Sequence, residues 1–140
     1  MTTPTPIRWN ALTPRARDAL VAIHIFGDAP RCLHEQIRAL GGSLRQCSDC
    51  GEQFGDTSLL VAWSWPAPFT QSIPEAFSVV EKMREKGFEV VMDAAEVGNW
   101  VCVFFRSDDR DTIVEVEAAN LPEAITIGSL QAHGFEVERE

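Results

Sequence analysis

The residues best suited to chemistry form two short pairs, Cys32-Leu-His34 and, after twelve intervening residues, Cys47-Ser-Asp-Cys50. Three thiols and one imidazole are ligands that tetrahedral zinc takes in structural sites. Gly51 follows the second pair and allows the backbone conformation of a tight turn. We therefore predict that Cys32, His34, Cys47 and Cys50 hold a structural Zn2+ ion.

The two pairs must also be able to meet. In an extended segment, Cys32 and His34 would share one face, because alternate residues of a strand do so. Gly41-Gly42 would then turn the chain back toward the second pair. With four protein ligands no coordination position stays open for water, so the predicted site is structural and not catalytic.

Redox-active or free thiols are the alternative use of these cysteines. A redox Cys-x-x-Cys pair is expected to open a helix after a strand, whereas Cys47–Cys50 is followed by a polar turn. A disulfide is disfavoured in the cytoplasm, where we expect the protein because its N-terminus lacks the features of a signal peptide.

Elsewhere no nucleophile has a base beside it and no glycine-rich phosphate loop occurs, so we expect binding and not enzymatic catalysis. Aromatic side chains offer a candidate binding surface, with burial in the core as the alternative. These candidates are Trp63, Trp65, Trp100 and Phe104.

Composition and charge limit the partners. The chain has 140 residues, 45% of them hydrophobic, and no apolar run approaches the ~18 residues of a membrane helix. The net charge of −9 falls entirely on residues 71–140, because residues 1–70 carry equal numbers of acidic and basic side chains. Acidic residues repel phosphate, which argues against nucleic-acid binding by residues 71–140.

The apolar patterns predict an α+β fold: an antiparallel sheet of three to four strands flanked by helices, an N-terminal helix and a small zinc-stapled loop module. Ser72 and Asn120 are each followed three residues later by Glu, which predicts two capping boxes. The predicted helices are 13–25, 72–87 and 120–134, and the predicted strands are Leu59–Trp65, Phe88–Asp93, Trp100–Arg106 and Thr112–Ala118, with a short strand at Phe135–Val137. The domain division is residues 1–30 as N-terminal segment and helix, 31–56 as zinc-binding module and 57–140 as sandwich domain.

Three segments carry a family resemblance, which are Ser72-Ile-Pro-Glu-Ala-Phe-Ser-Val-Val-Glu-Lys-Met-Arg-Glu-Lys-Gly-Phe, Trp100-Val-Cys-Val-Phe-Phe and Glu117-Ala-Ala-Asn-Leu-Pro-Glu-Ala-Ile. Through them, residues 70–133 resemble the phage alpha-beta-alpha sandwich domain family. The upstream Cys-x-His and Cys-x-x-Cys-Gly module also looks like what precedes this domain in many bacteriophage and prophage proteins. The resemblance implies a phage context and no catalytic residues.

These observations together lead us to expect a non-enzymatic phage or prophage accessory protein that binds a host or phage macromolecule, most concretely as an inhibitor of a bacterial defence system. Homo-oligomers are compatible with this expectation. Two alternatives stay open: a nucleic-acid-associated zinc module in which Arg31, Arg38 and Arg45 contact phosphate, and a binder of a small nucleotide.

Overall fold

Four helices and two antiparallel three-stranded sheets account for most of the chain. The computed structural model describes residues 5–96, 98–106, 108 and 112–139. The elements are β1 (Ile7–Arg8), a 3₁₀ helix (Trp9–Ala11), α1 (Pro14–His24), β2 (Ile37–Gly41), β3 (Leu44–Cys47), β4 (Gln53–Phe54), α2 (Asp56–Ala62), α3 (Ile73–Glu85), β5 (Phe88–Ala94), β6 (Trp100–Arg106), β7 (Thr112–Ala118), α4 (Leu121–Ala132) and β8 (Val137–Glu138). This composition confirms the α+β class.

The larger sheet is the antiparallel meander β5-β6-β7. Its register places Phe104 of the central strand between Val90 of β5 and Val114 of β7. The sheet has three strands, because β8 does not join it and pairs instead in parallel with β1 at the N-terminus.

Helix α4 is the centre of the main core. Asn120 caps it, since its side chain accepts a hydrogen bond from the Glu123 amide at 2.9 Å. The helix lies on β6 and β7, and Gly128 allows a close approach because a Cβ at this position would overlap the ring of Phe104. Helix α3 packs against both α4 and β5, so the two helices cover the same side of the sheet.

The N-terminal segment docks on this unit through Trp9, which is fully buried. Its indole Nε1 donates to a carboxylate oxygen of Glu123 at 3.0 Å. Helix α1 follows, with Thr13 as N-cap and Pro14 in its first turn, as its sequence predicts. Trp9 and three residues of α1 and its end, Val21, Ala22 and Ile25, thus belong to the main core.

A small antiparallel sheet, β2-β3-β4, forms between α1 and α2. The hairpin β2-β3 reverses at Gly41-Gly42, where both glycines have positive φ angles of 120° and 58°. The sequence predicts a loop-rich module here, and the structure adds three short strands to it. This hairpin brings Cys47 back toward Cys32.

The predicted strand Leu59–Trp65 is wrong, because residues 56–62 form helix α2. Strand alternation would place Leu59 and Val61 on one face, but Leu59 is buried whereas Val61 is 67% exposed. Helical spacing instead turns Leu59 and Ala62 toward the small sheet. A short apolar run fits both periods, and burial against β3 and β4 decides between them.

The predicted capping hydrogen bond at Ser72 is also wrong, although α3 begins where the sequence predicts. The Ser72 side chain makes no capping hydrogen bond. Pro74 lies in the first turn of α3, and a proline has no N–H that needs an acceptor, so the helix start requires less side-chain capping here.

Candidate metal centre

The four predicted ligands meet at the base of the β2-β3 hairpin. One ligand atom from each of Cys32, His34, Cys47 and Cys50 lies within 4.8 Å of all the others. The Sγ atoms of Cys32 and Cys47 are 3.7 Å apart, and the Cys50 Sγ is 3.6 Å from His34 Nδ1. The four cysteines of the chain are free thiols.

These separations match the edges of a zinc tetrahedron. With Zn–S bonds of about 2.3 Å and a Zn–N bond of about 2.0–2.1 Å, tetrahedral angles place two sulfurs about 3.8 Å apart and a sulfur and a nitrogen about 3.6 Å apart. The observed distances of 3.7 Å and 3.6 Å therefore match one sulfur–sulfur edge and one sulfur–nitrogen edge of such a tetrahedron, and all four ligand atoms lie within 4.8 Å of one another. His34 would take part through Nδ1.

Each ligand pair sits on a tight turn of the backbone. His34 has a positive φ of 53°, so Cys32 and His34 converge through a turn and not, as expected, through an extended segment. In the second turn, the Gly51 amide donates to the Cys47 carbonyl at 2.9 Å, and Gly51 has a φ of 80°. Both turns present backbone amides to their first cysteine.

The thiols of the two turns differ in acidity. The pKa of Cys47 is lowered to about 6: burial of this thiol opposes the shift, but hydrogen bonds from the backbone of Cys50 and Asp49 and from the His34 side chain outweigh it. The pKa of Cys32 is raised to about 11, since burial and the neighbouring thiols outweigh the backbone amide of His34. A metal ion bound at this site would displace the proton of each thiol that coordinates it.

The second nitrogen of His34 faces a carboxylate. Its Nε2 lies 3.8 Å from an oxygen of Glu52, which directly follows Gly51 in the second turn. A carboxylate behind a metal-binding histidine favours the tautomer that leaves the other nitrogen free for the metal. The ring edge also packs on Phe54 at 4.8 Å between centroids, which limits its rotation.

The apolar core beside the cluster is small. Its buried members are only Cys47, Phe54 and Leu59, with Cys32, Ile37 and Ala62 packed at its margin. Because two of these six residues are ligands themselves, few apolar contacts hold the segment together. The small core also reaches Ala62 in α2, beyond residue 56.

Arg15 of α1 joins the cluster to the main unit. Its guanidinium donates to the carbonyl of Leu33, between the first two ligands, at 2.6 Å, and to the carbonyls of Trp63 and Trp65 at 2.9 Å and 3.2 Å. Trp63 completes the link, since its indole Nε1 donates to the His34 carbonyl at 3.0 Å. Arg15 thus connects α1 both to the first ligand pair and to the segment that follows α2.

The four aromatic candidates lie in three different places. Trp63 and Trp65 belong to the junction beside the cluster, where the Trp65 indole donates to Asp28 at 3.1 Å. Trp100 is 39% exposed at the start of β6, whereas Phe104 is fully buried under α4. Phe104 is therefore part of the core, which is the alternative to a binding surface. The four aromatic candidates do not form one surface.

Sequence reasoning missed Arg15 and Glu52. Nothing in the local pattern distinguishes Arg15 from the other arginines of the chain, because its partners lie 18 to 50 residues away. For Glu52 a weak signal exists, since a carboxylate that directly follows a Cys-x-x-Cys-Gly turn is placed to approach a ligand histidine.

Neither a protein-family model nor a curated protein or a solved structure matches this chain. Among the helices of the described residues, none has the length and apolar character needed to cross a membrane.

Proposed function

We propose that Cys32, His34, Cys47 and Cys50 hold one structural Zn2+ ion, and that the protein acts by binding another macromolecule without catalysing a reaction. The observation that carries the metal assignment is the pair of distances, 3.7 Å between two sulfurs and 3.6 Å between a sulfur and an imidazole nitrogen, which equal tetrahedral edges. Three sulfurs and one nitrogen favour zinc over harder cations.

A structural role follows from the ligand count and the small core. Four protein ligands complete the coordination of zinc and leave no position for a reacting water. The ion would instead replace the apolar contacts that the segment lacks, as in small domains whose folding depends on metal. Cys47 also ends a strand and Cys50 precedes another, so no helix begins at the pair as a redox dithiol would require.

The biological setting of this proposal rests on the resemblance of residues 70–133 to the phage alpha-beta-alpha sandwich domain family. We propose a phage or prophage accessory protein of the bacterial cytoplasm, and inhibition of a host defence system as its concrete form. The test is plaque formation by a restricted phage on defended bacteria that express the protein. Rescue of plaques supports this form, and unchanged restriction at confirmed expression contradicts it.

The nucleic-acid alternative receives less support from the geometry. Arg38 pairs with Gln46 and Ala39 with Arg45 across the hairpin, so the two arginines point to opposite faces. Arg31 stacks on Trp65 at 5.3 Å instead of extending toward a ligand. A single phosphate-binding face does not form from these three residues.

Native mass spectrometry of the full chain from bacteria grown without added metal tests the metal assignment. We expect a mass increment of one zinc ion per chain, and its loss in Cys47→Ser. The matched control is Cys102→Ala, which removes a buried thiol of β6 outside the cluster and retains zinc. A folded, metal-free wild-type chain that takes up no zinc on titration would overturn the proposal.

A further inference from the structure

One side of the larger sheet carries apolar side chains that no core includes. Cys102 and Phe104 of β6 point into the main core, so alternation turns Val101, Val103 and Phe105 to the opposite side. These three residues are half-buried and belong to neither apolar cluster. Two exposed side chains of the outer strands, Val91 and Ile113, extend this open sheet face.

Acidic side chains flank the apolar stripe on both outer strands. Glu89 pairs with Phe105, Glu115 with Val103, and both Asp93 and Glu117 pair with Val101. The four acidic residues are exposed, and within the part of the chain that the structure describes none of them forms a salt bridge. They are Glu89, Asp93, Glu115 and Glu117.

We propose that the open sheet face binds a basic amphipathic segment of a partner protein. Apolar side chains of that segment would cover Val103 and Phe105, and its lysines or arginines would lie against the carboxylates on either side. The assignment rests on charge complementarity, since exposed carboxylates around an apolar stripe attract cations and exclude acidic partners. This inference rests on the proposed binding function and names the kind of partner. It does not depend on the metal assignment.

Other occupants fit this face less well. A second copy docked face to face would bring two sets of four carboxylates together, which is repulsive in a low-dielectric interface. Nucleic acid and anionic membranes are repelled for the same reason. A second copy could instead present another surface, such as the β2-β3 hairpin with its exposed Leu40 and Leu44, and this arrangement would be visible as self-association.

The probe is a short, labelled synthetic peptide of alternating leucine and lysine, titrated against the zinc-loaded full chain and followed by fluorescence anisotropy. Two comparison peptides replace lysine by glutamate or leucine by serine. We expect binding of the leucine-lysine peptide alone, weakened as ionic strength rises because the Debye length shortens. The double variant Glu89→Lys with Glu115→Lys should weaken it at least about tenfold.

The matched control is Glu136→Lys, which reverses an exposed charge between α4 and β8, outside the three strands of the open sheet face. Equal affinities of this control and the double variant would overturn the proposal, as would a peptide that binds equally well with serine in place of leucine. Val103→Ser tests the apolar stripe and should weaken binding without a change of charge. Circular dichroism verifies that each variant is folded.

Sedimentation equilibrium of the free protein decides the remaining case. A monomer is expected, and a dimer or chain of copies that the double variant dissociates would assign the face to self-association and reject a basic partner. Zinc content measured on the same samples separates this result from the metal assignment. A zinc-loaded protein that does not bind the peptide contradicts only the inference about the face.

Discussion

Two regions of the molecule, the candidate metal site with β2-β4 and the sheet β5-β7 with its covering helices, differ in how much apolar surface they bury. The sheet unit buries continuous apolar side chains, with α4 embedded along most of its length. The region of β2-β4 has a core of three buried apolar residues, one of which is Cys47, and gathers four possible metal ligands. Under the proposed metal assignment, bonds to one ion take the place of the apolar contacts that this segment lacks.

Metal removal should produce the largest difference between the two regions. After chelation of zinc, we expect amide hydrogen exchange of residues 32–62 to accelerate by at least about a hundredfold, because structural zinc contributes on the order of 10 kcal/mol to such modules. Amides of β6 and α4 should remain protected. Unchanged amide exchange rates at β2 and β3 after verified metal loss would contradict this difference between the two regions.

Gly128→Ala should have the opposite effect: it should destabilise the sheet β5-β7 with its helices and leave the metal site intact. The added Cβ would overlap the Phe104 ring, which has no room to move in the core, so we expect a loss of about 1–3 kcal/mol in the free energy of unfolding. Zinc stoichiometry should stay at one. The matched control is Gly55→Ala, where nothing lies within 4 Å of the new Cβ, and chemical denaturation compares the two.

Arg15→Met should loosen the junction between the two regions. Losing three hydrogen bonds from a guanidinium to backbone carbonyls is expected to cost about 2 kcal/mol, while the ligands themselves remain in place. The control Arg45→Met removes an arginine whose side-chain hydrogen bonds, among the described residues, go to Gly42 and Leu44 of its own hairpin. If the two variants have equal denaturation midpoints, Arg15 does not hold the module to α1.

A substitution of His133, at the end of α4, should have the smallest effect on stability. The effect should be confined to the sheet β5-β7 and its covering helices. Burial lowers the pKa of His133, and Lys86 adds to this effect, with its Nζ 3.0 Å from Nε2. Because the folded state binds this proton less readily than the unfolded state, stability is retained above pH 6.5, the usual pKa of histidine, and lost as pH falls below it. His133→Gln should flatten the slope of unfolding free energy against pH between about 5 and 7, and parallel slopes would contradict this role.

The sequence predicts best what is local. Ligand types and spacing identify Cys32, His34, Cys47 and Cys50 because metal coordination restricts both, and the structure brings these four together. Glycines at the ends of helices and at the Gly41-Gly42 turn mark the boundaries correctly, since positive φ angles favour glycine. The order of helix, three strands and helix after residue 72 follows from the same signals.

What the sequence does not show depends on distant contacts. The helix at 56–62 is decided by burial of Leu59 against β4, which no local pattern contains. Arg15 acquires its role only when Leu33 and Trp65 come near. The split of the aromatic residues likewise depends on which side of the sheet α4 covers, so Phe104 and Trp100 cannot be told apart by type.

X-ray absorption spectroscopy at the zinc edge of the purified full chain tests the central claim most directly. The account predicts a first shell of three sulfurs at about 2.3 Å and one nitrogen at about 2.0–2.1 Å, with the imidazole signal lost in His34→Ala. A first shell of only oxygen and nitrogen, or a folded protein that binds no zinc, would contradict it.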